Sequence, residues 1–198
     1  PPRSTLFPYT TLFRSVAAAL VNNMVLIQSL GVSSLFAYSN RLRNAIELAL
    51  VSFLVIFLAS AINLILYRGL LAPLGLEYLA LLCFVGVSSI LTLLVLHSLE
   101  KYFPLSMRRQ RLAFYLIAGN SSIIGLSLLN TASERSVVDC LAYSFGAAMG
   151  FALVLLAFPA LRQRLGGDDV LAPFRAAAIQ LISAGIAAMC FLGFAGLV

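Results

Sequence analysis

Residues 44–66 read NAIELALVSFLVIFLASAINLIL, an almost unbroken apolar run. An α-helix rises about 1.5 Å per residue, so a run of this length can cross the ~30 Å hydrocarbon core of a bilayer. Four further runs are also long enough, at 78–96, 112–130, 140–161 and 176–198. A sixth run, at 16–30, is shorter. The sequence therefore predicts an all-α integral membrane protein with six transmembrane helices, called spans one to six in chain order from 16–30 to 176–198.

The composition supports a membrane protein and excludes several other classes. Of 198 residues, 62% are hydrophobic and 10% are charged, with a mean hydropathy of +1.03; a soluble domain typically carries about 25% charged residues. The net charge of +6 does not indicate nucleic-acid binding, because the basic residues lie in short loops between apolar runs. Cys83, Cys140 and Cys190 each lie inside an apolar run without a CxxC pair, which indicates neither a disulfide framework nor a zinc site. No motif of self-contained catalysis is present.

The first fifteen residues, PPRSTLFPYTTLFRS, differ in character from the rest of the chain. They mix proline, threonine, serine and arginine with isolated aromatics, and they match neither a signal peptide nor a stable helix. The string resembles translated sequencing-adapter sequence. We therefore expect residues 1–15 to be non-native and residues 16–198 to form a single membrane domain, with the beginning of span one lost.

The loops between the spans alternate in charge, which predicts an orientation. The loops after spans one, three and five hold nine basic residues, and the other two loops hold only Arg68 and Arg135. Basic loops face the cytoplasm. Both termini are therefore predicted to lie on the periplasmic side of a bacterial inner membrane. The nine residues are Arg41, Arg43, Lys101, Arg108, Arg109, Arg111, Arg162, Arg164 and Arg175.

Spans one and four carry polar residues and glycine, whereas spans two and three read as ordinary lipid-compatible helices. The tetrapeptides GVSS at 31–34 and GNSS at 119–122 resemble each other and belong to the first span of each three-span half. An odd number of spans per half predicts two inverted repeats, about 16–100 and 101–198, whose broken helices meet near the midplane and form the functional site. The candidate site residues are Asn22, Asn23, Gly31, Ser33, Gly119, Asn120, Ser121 and Gly125.

A second interpretation of these residues is that they only allow helices to pack closely. For any one residue the two interpretations are about equally supported, and the pairing of the two clusters favours a site. The GxxxG spacing of Gly146 and Gly150 in span five is different, because it predicts helix packing alone.

Several segments resemble the Rnf/Nqr membrane subunits, the family of RnfA, NqrE, RnfE and NqrD. LVNNMVLIQSLG at 20–31 is similar to the first-helix motif of this family, and GNSSIIGLSLLN at 119–130 lies where the family has a TNC…G…LLN segment. AYSFGAAMGFALVLLAFPALRQRL at 142–165 and the ending DDVLAPFRAAAIQLISAGIAAMCFLGFAGLV at 168–198 are also similar. The asparagine doublet and the C-terminal block favour the RnfA branch of the family.

The resemblance implies a membrane subunit of an Rnf complex, which couples electron transfer to Na⁺ or H⁺ translocation. It implies an RnfE-type partner in opposite orientation and a [2Fe–2S] cluster between the two proteins, with two cysteines from each. Here those cysteine positions fall on Ser33 and Ser121. Thiolates are the usual ligands of such clusters. We therefore expect a divergent subunit in which the cluster is absent or altered, and the three cysteines do not occupy the ligand positions.

Two alternatives remain from the sequence. The chain can be a transporter or channel-like protein in which Asn22, Asn23, Asn120, Ser33 and Ser121 line a pathway for an ion or small solute. It can also be a structural subunit that only assembles a partner. Genes for the other Rnf subunits beside this gene would favour the redox complex, and an isolated gene would favour a transporter.

Overall fold

The computed structural model describes residues 13, 15–21, 23–32, 42–100, 114–133, 135–165 and 177–193. Within these ranges the chain is helical, with turns and short loops between the helices. A π-helix covers Ala17–Val21, and five α-helices follow, labelled α1 to α5: Leu42–Leu66, Ala80–Glu100, Ser121–Ala132, Val137–Leu165 and Ala177–Leu192. The helix α1 continues into a π-helical turn at Tyr67–Leu71, and a 3₁₀ turn at Glu77–Leu79 leads into α2.

Three of the predicted spans form helices that are long and apolar enough to cross a bilayer. They cover Ala45–Leu71, Glu77–Ser98 and Val137–Leu161, and correspond to spans two, three and five. Leucine, isoleucine, valine and phenylalanine dominate all three, so lipid can solvate their outer faces while the backbone hydrogen bonds stay within each helix. The prediction of an all-helical membrane protein is confirmed.

The other three predicted spans are shorter or interrupted in the described residues. Span four consists of a helical segment at 114–118, a break at 119–120 and then α3. Span six corresponds to α5, and the apolar part of this helix covers Ala178–Leu192. Span one consists of the π-helix and a non-helical segment from residue 23 to residue 31. Spans one and four are therefore not continuous helices.

The helices α1 and α4 form the centre of the molecule. They pack against each other, α3 packs against α1, and the π-helix packs against α4. Side chains of Ile56 on α1, Leu126 on α3 and Phe151 on α4 are fully or almost fully buried in one apolar core. The helix α2 is peripheral, because only 28% of its apolar window is buried. Its exposed Leu82 and Ile90 are suited to contact with lipid or with a partner protein.

The two glycines of α4 form the surface on which the π-helix packs. A Cβ atom on Gly150 would lie 2.5 Å from the carbonyl oxygen of Ala19, and one on Gly146 would overlap the backbone of Ser15. The Ser15 hydroxyl also donates a 3.0 Å hydrogen bond to the carbonyl oxygen of Ala142. The predicted packing role of the GxxxG spacing is confirmed. Ser15, which belongs to the stretch predicted to be non-native, takes part in this contact.

Candidate functional site

The break in span four is built by Gly119 and Asn120. The backbone of Asn120 is extended, with φ −74° and ψ 115°, and its side-chain oxygen accepts a 2.9 Å hydrogen bond from the backbone N–H of Ser122. This is the N-cap arrangement, in which a side chain satisfies a donor that the start of a helix leaves unpaired. Asn120 therefore ends the segment at 114–118 and begins α3 inside the protein.

The break in span one uses an asparagine in a similar way. The side-chain oxygen of Asn23 accepts hydrogen bonds from the backbone N–H groups of Val25 and Leu26, at 3.1 and 3.3 Å. The chain then passes through positive φ values at Ser29 (55°) and Gly31 (75°). L-residues rarely adopt this region, and glycine does so without steric cost.

The two breaks contact each other directly. The backbone N–H of Gly31 donates a 2.9 Å hydrogen bond to Ser121 Oγ. A Cβ atom on Gly31 would lie 2.5 Å from Asn120 Oδ1, 2.5 Å from Ser122 Oγ and 2.7 Å from the ring of Phe151. A side chain is therefore excluded at Gly31, and the contact brings the first break against the start of α3.

Gly125 lies one turn further along α3, where a Cβ atom would lie 2.6 Å from a methyl carbon of Leu30. Leu30, the residue before Gly31, thus packs on a glycine of α3, the helix that follows the other break. Close packing between the two segments is required on both sides of the Gly31–Ser121 hydrogen bond.

Comparison with known proteins identifies the family. The family model described as "Rnf-Nqr subunit, membrane protein" matches residues 11–198. The chain belongs to this Rnf-Nqr family. Its resemblance to the family, drawn above from four sequence segments, is confirmed, and so is the prediction of a multi-pass membrane protein.

Relatives within the Rnf-Nqr family are similar over nearly their whole length. In Alkalilimnicola ehrlichii, the A component of the ion-translocating oxidoreductase complex is 40% identical over 183 residues, which is 92% of this chain and 95% of the relative. The components of the same name from Hahella chejuensis and Pseudoalteromonas atlantica are each 38% identical over the same shares. The function class predicted from the sequence, a membrane subunit of an ion-translocating oxidoreductase complex, is confirmed.

The structure brings four of the eight predicted site residues together. Gly31, Asn120 and Ser121 meet at the contact of the two breaks, and Gly125 adjoins it through Leu30. Asn23 is fully buried, with its amide nitrogen close to Gly150 on α4. Gly119 is exposed, and a Cβ atom there would lie 3.0 Å from the carbonyl oxygen of Tyr115. Asn22 and Ser33 lie outside the described residues.

The donor set at the break does not fit a cluster with cysteine ligands. In the Rnf-Nqr resemblance one ligand position falls on Ser121, whose hydroxyl oxygen here accepts the backbone N–H of Gly31. A serine hydroxyl ionises far less readily than a thiol, and thiolates are the usual ligands of iron–sulfur clusters. Among the described residues, no group of three or more His, Cys, Asp or Glu side chains could hold a metal ion.

The cysteines of the chain lie elsewhere. Cys140 is buried near the start of α4, within 3.9 Å of an Arg68 guanidinium nitrogen and 3.6 Å of Ser133 Oγ. Cys83 on α2 is partly buried, and Cys190 on α5 is exposed. None of these three residues adjoins the contact between Gly31 and Ser121 that the structure describes.

The sequence interpretation missed a second set of buried polar residues. Span two reads as an ordinary lipid-compatible helix, but α1 carries Ser52, Ser60 and Asn63 with no exposed surface. Asn63 Nδ2 donates a 2.8 Å hydrogen bond to Ser127 Oγ on α3. The signal in the sequence was an asparagine inside a long apolar run, since intramembrane amides are costly unless they face protein.

Proposed function

We propose that the chain is the A-type membrane component of an Rnf complex, in which electron transfer is coupled to translocation of Na⁺ or H⁺ across a bacterial inner membrane. The structural observation that supports this proposal most directly is the hydrogen bond from Gly31 N–H to Ser121 Oγ. It joins the two broken segments that family resemblance places at the functional site. Broken helices that meet inside a membrane are typical of ion-translocating inverted repeats.

The proposed topology has six spans in two inverted halves, with both termini in the periplasm. The nine basic residues in the predicted cytoplasmic loops, against two in the others, support this orientation. Arg68 and Arg135, the two on the opposite side, lie together: an Arg68 guanidinium nitrogen donates a 2.7 Å hydrogen bond to the carbonyl oxygen of Arg135. This contact supports the placement of the two loops on one side of the membrane.

The proposed partner is an RnfE-type protein in opposite orientation. Ser121 is exposed on this chain, although it is part of the contact between the two breaks. A site that opens on the surface of one protein is suited to completion by another. The hydroxyls of Ser33 and Ser121 in place of thiols support a protein that keeps this scaffold and lacks the usual [2Fe–2S] cluster.

Co-expression with the neighbouring RnfE-type partner tests the proposal. We expect the two chains to purify as a stable pair with little iron and no [2Fe–2S] EPR signal after reduction with dithionite. About two irons per pair with such a signal would contradict the loss of the cluster. Failure of the pair to form, with both chains folded, would contradict the proposed RnfE-type partner.

A second candidate function is an ion or small-solute transporter that uses the same broken helices without redox chemistry. It is favoured by Asn120 Nδ2 and Ser122 Oγ, both buried at the contact without a hydrogen-bond partner among the described residues. Buried polar atoms without partners are suited to a passing ligand. Flux of an ion into proteoliposomes that contain this chain alone would support the transporter, and flux that requires the partner would support the complex.

A further inference from the structure

A second polar site lies at the junction of α1, α3 and α4, away from the contact of the two breaks. Asn63 on α1 donates through Nδ2 to Ser127 Oγ on α3 at 2.8 Å. Asn130 on α3 donates through Nδ2 to Ser144 Oγ on α4 at 2.7 Å. We call these four residues the Asn63–Asn130 cluster.

The hydroxyl hydrogens of the cluster are already used. Ser127 donates its hydroxyl to the carbonyl oxygen of Ile123 at 2.8 Å, and Ser144 donates to that of Cys140 at 2.8 Å. Each serine hydroxyl thus donates to a carbonyl oxygen of its own helix and accepts a hydrogen bond from an asparagine amide on another helix. The same arrangement occurs twice, so both amide groups are held with their nitrogen atoms toward the serines.

The fixed amide groups leave two oxygen atoms without partners. Asn63 Oδ1 and Asn130 Oδ1 are buried and have no hydrogen-bond partner among the described residues. The exposed fractions of these two side chains are 0% and 1%. Reversing either amide would turn a hydrogen-bond donor of the cluster into an acceptor, and would leave an N–H group unpaired instead. The cluster therefore presents acceptor oxygens inside the membrane domain.

The two amides are connected through α3, which carries both Ser127, the acceptor of Asn63, and Asn130 itself. Ser127 and Asn130 are three residues apart on α3, so their side chains are neighbours on one face of the helix. Asn63 is five residues before the exposed Arg68, which is about 8 Å along the chain. The cluster thus lies within reach of the predicted periplasmic end.

We propose that the Asn63–Asn130 cluster binds a small monovalent cation, Na⁺ in the first instance. Carbonyl and hydroxyl oxygens are the ligands that hard cations take in membrane proteins. The cluster consists of neutral amides and hydroxyls, whereas tight divalent sites use carboxylates. Arg68 and Arg135 at the exposed end oppose the entry of a cation, so binding in the millimolar range is expected. Weak binding suits a site from which an ion must leave again.

The proposal deepens the proposed ion-translocating function, because it gives the ion a binding site within this chain. It does not depend on assembly with the partner or on an iron–sulfur cluster. Its test therefore uses the full chain alone, purified in detergent. Loss of the partner interaction would leave the result of this test unchanged.

The test measures thermal unfolding in a series of NaCl concentrations, with choline chloride added to keep the ionic strength constant. A ligand that binds only the folded state raises the unfolding temperature as its concentration rises. We expect Na⁺ to raise this temperature by several degrees relative to choline. An unfolding temperature that does not depend on the choice of cation would overturn the proposal.

Two variants and a matched control complete the test. Asn63→Leu and Asn130→Leu remove the free oxygens with little change in volume, and we expect each to abolish the Na⁺-dependent shift. Thr92→Val is the control, because Thr92 is fully buried and its hydroxyl already bonds to the carbonyl oxygen of Ser88. A Na⁺-dependent shift that survives in both asparagine variants would refute the assignment to this cluster. If neither leucine variant folds, Asn63→Ser and Asn130→Ser, which also remove the amide oxygens but keep a polar group, take their place with the same expected result.

Discussion

The side-chain amide of Asn23 donates a 2.8 Å hydrogen bond to the carbonyl oxygen of Ala19 and, through its oxygen atom, accepts the N–H groups of Val25 and Leu26. One buried side chain thus joins the end of the π-helix to the turn that follows it. Asn23 has no exposed surface, so solvent does not replace these bonds. The shape of the first break therefore depends on Asn23.

Replacement of Asn23 by alanine should destabilise the protein by about 3 kcal/mol, because buried backbone groups would lose their partners. The expected result is a lower unfolding temperature in detergent and less folded protein in the membrane. The matched control is Ser89→Ala, which removes an exposed hydroxyl that bonds to its own helix. An Asn23→Ala protein as stable as this control would show that the side chain does not hold the break.

Replacement of Gly31 by alanine should prevent the two breaks from meeting. The positive φ of Gly31 and the overlap with Asn120, Ser122 and Phe151 together cost about 2–6 kcal/mol. We expect little folded protein, measured by size-exclusion chromatography after extraction. Gly86→Ala is the control, because a Cβ atom there meets no atom within 4 Å. Equal yields of the two variants would contradict this account.

Replacement of Gly150 by alanine tests the contact between α4 and the π-helix. The added Cβ atom would lie 2.5 Å from the carbonyl oxygen of Ala19, and a backbone atom has little freedom to move away. We expect a loss of about 1–3 kcal/mol in stability. Gly185→Ala on α5, with no atom within 4 Å, should have no such effect. The measurement is the unfolding temperature of each variant.

Restoring thiols should reveal whether the scaffold can still hold a cluster. We expect the double variant Ser33→Cys with Ser121→Cys, co-expressed with the RnfE-type partner, to contain more iron than the unmodified pair, because thiolates replace hydroxyls at the two family positions. Ser89→Cys, which adds a thiol at a partly exposed position of α2, serves as the control. An equal rise in the iron content of the Ser89→Cys control would mean that iron binds unspecifically to added thiols. No rise in the iron content of either variant would mean that the site differs from the family in more than its two ligand residues.

The sequence is sufficient to predict the long helices and the second break. An apolar run such as 44–66 can hardly form anything except a membrane helix, and GNSS at 119–122 contains both the glycine that interrupts the helix and the asparagine that caps the next one. Asn23 and Gly31 predict the first break, and its non-helical segment lies between them.

Other features could not be predicted because they depend on contacts between distant helices. Asn63 lies in a run that reads as an ordinary helix, since its partner Ser127 is 64 residues away. In the same way, the likeness of 31–34 to 119–122 predicts that the two breaks meet, but it does not predict that the N–H group of Gly31 donates to Ser121. Local patterns show that a polar group lies in an apolar run, but the partner of that group depends on helix packing.

The Gly31–Ser121 hydrogen bond also has a consequence for biosynthesis. Its two partners are separated by 90 residues, so the N–H of Gly31 leaves the ribosome long before the hydroxyl that accepts it. During this interval the first break cannot be completed by the chain itself, and lipid offers no acceptor. We expect the first three spans to remain beside the insertion machinery, where water is available, until the start of α3 has been synthesised.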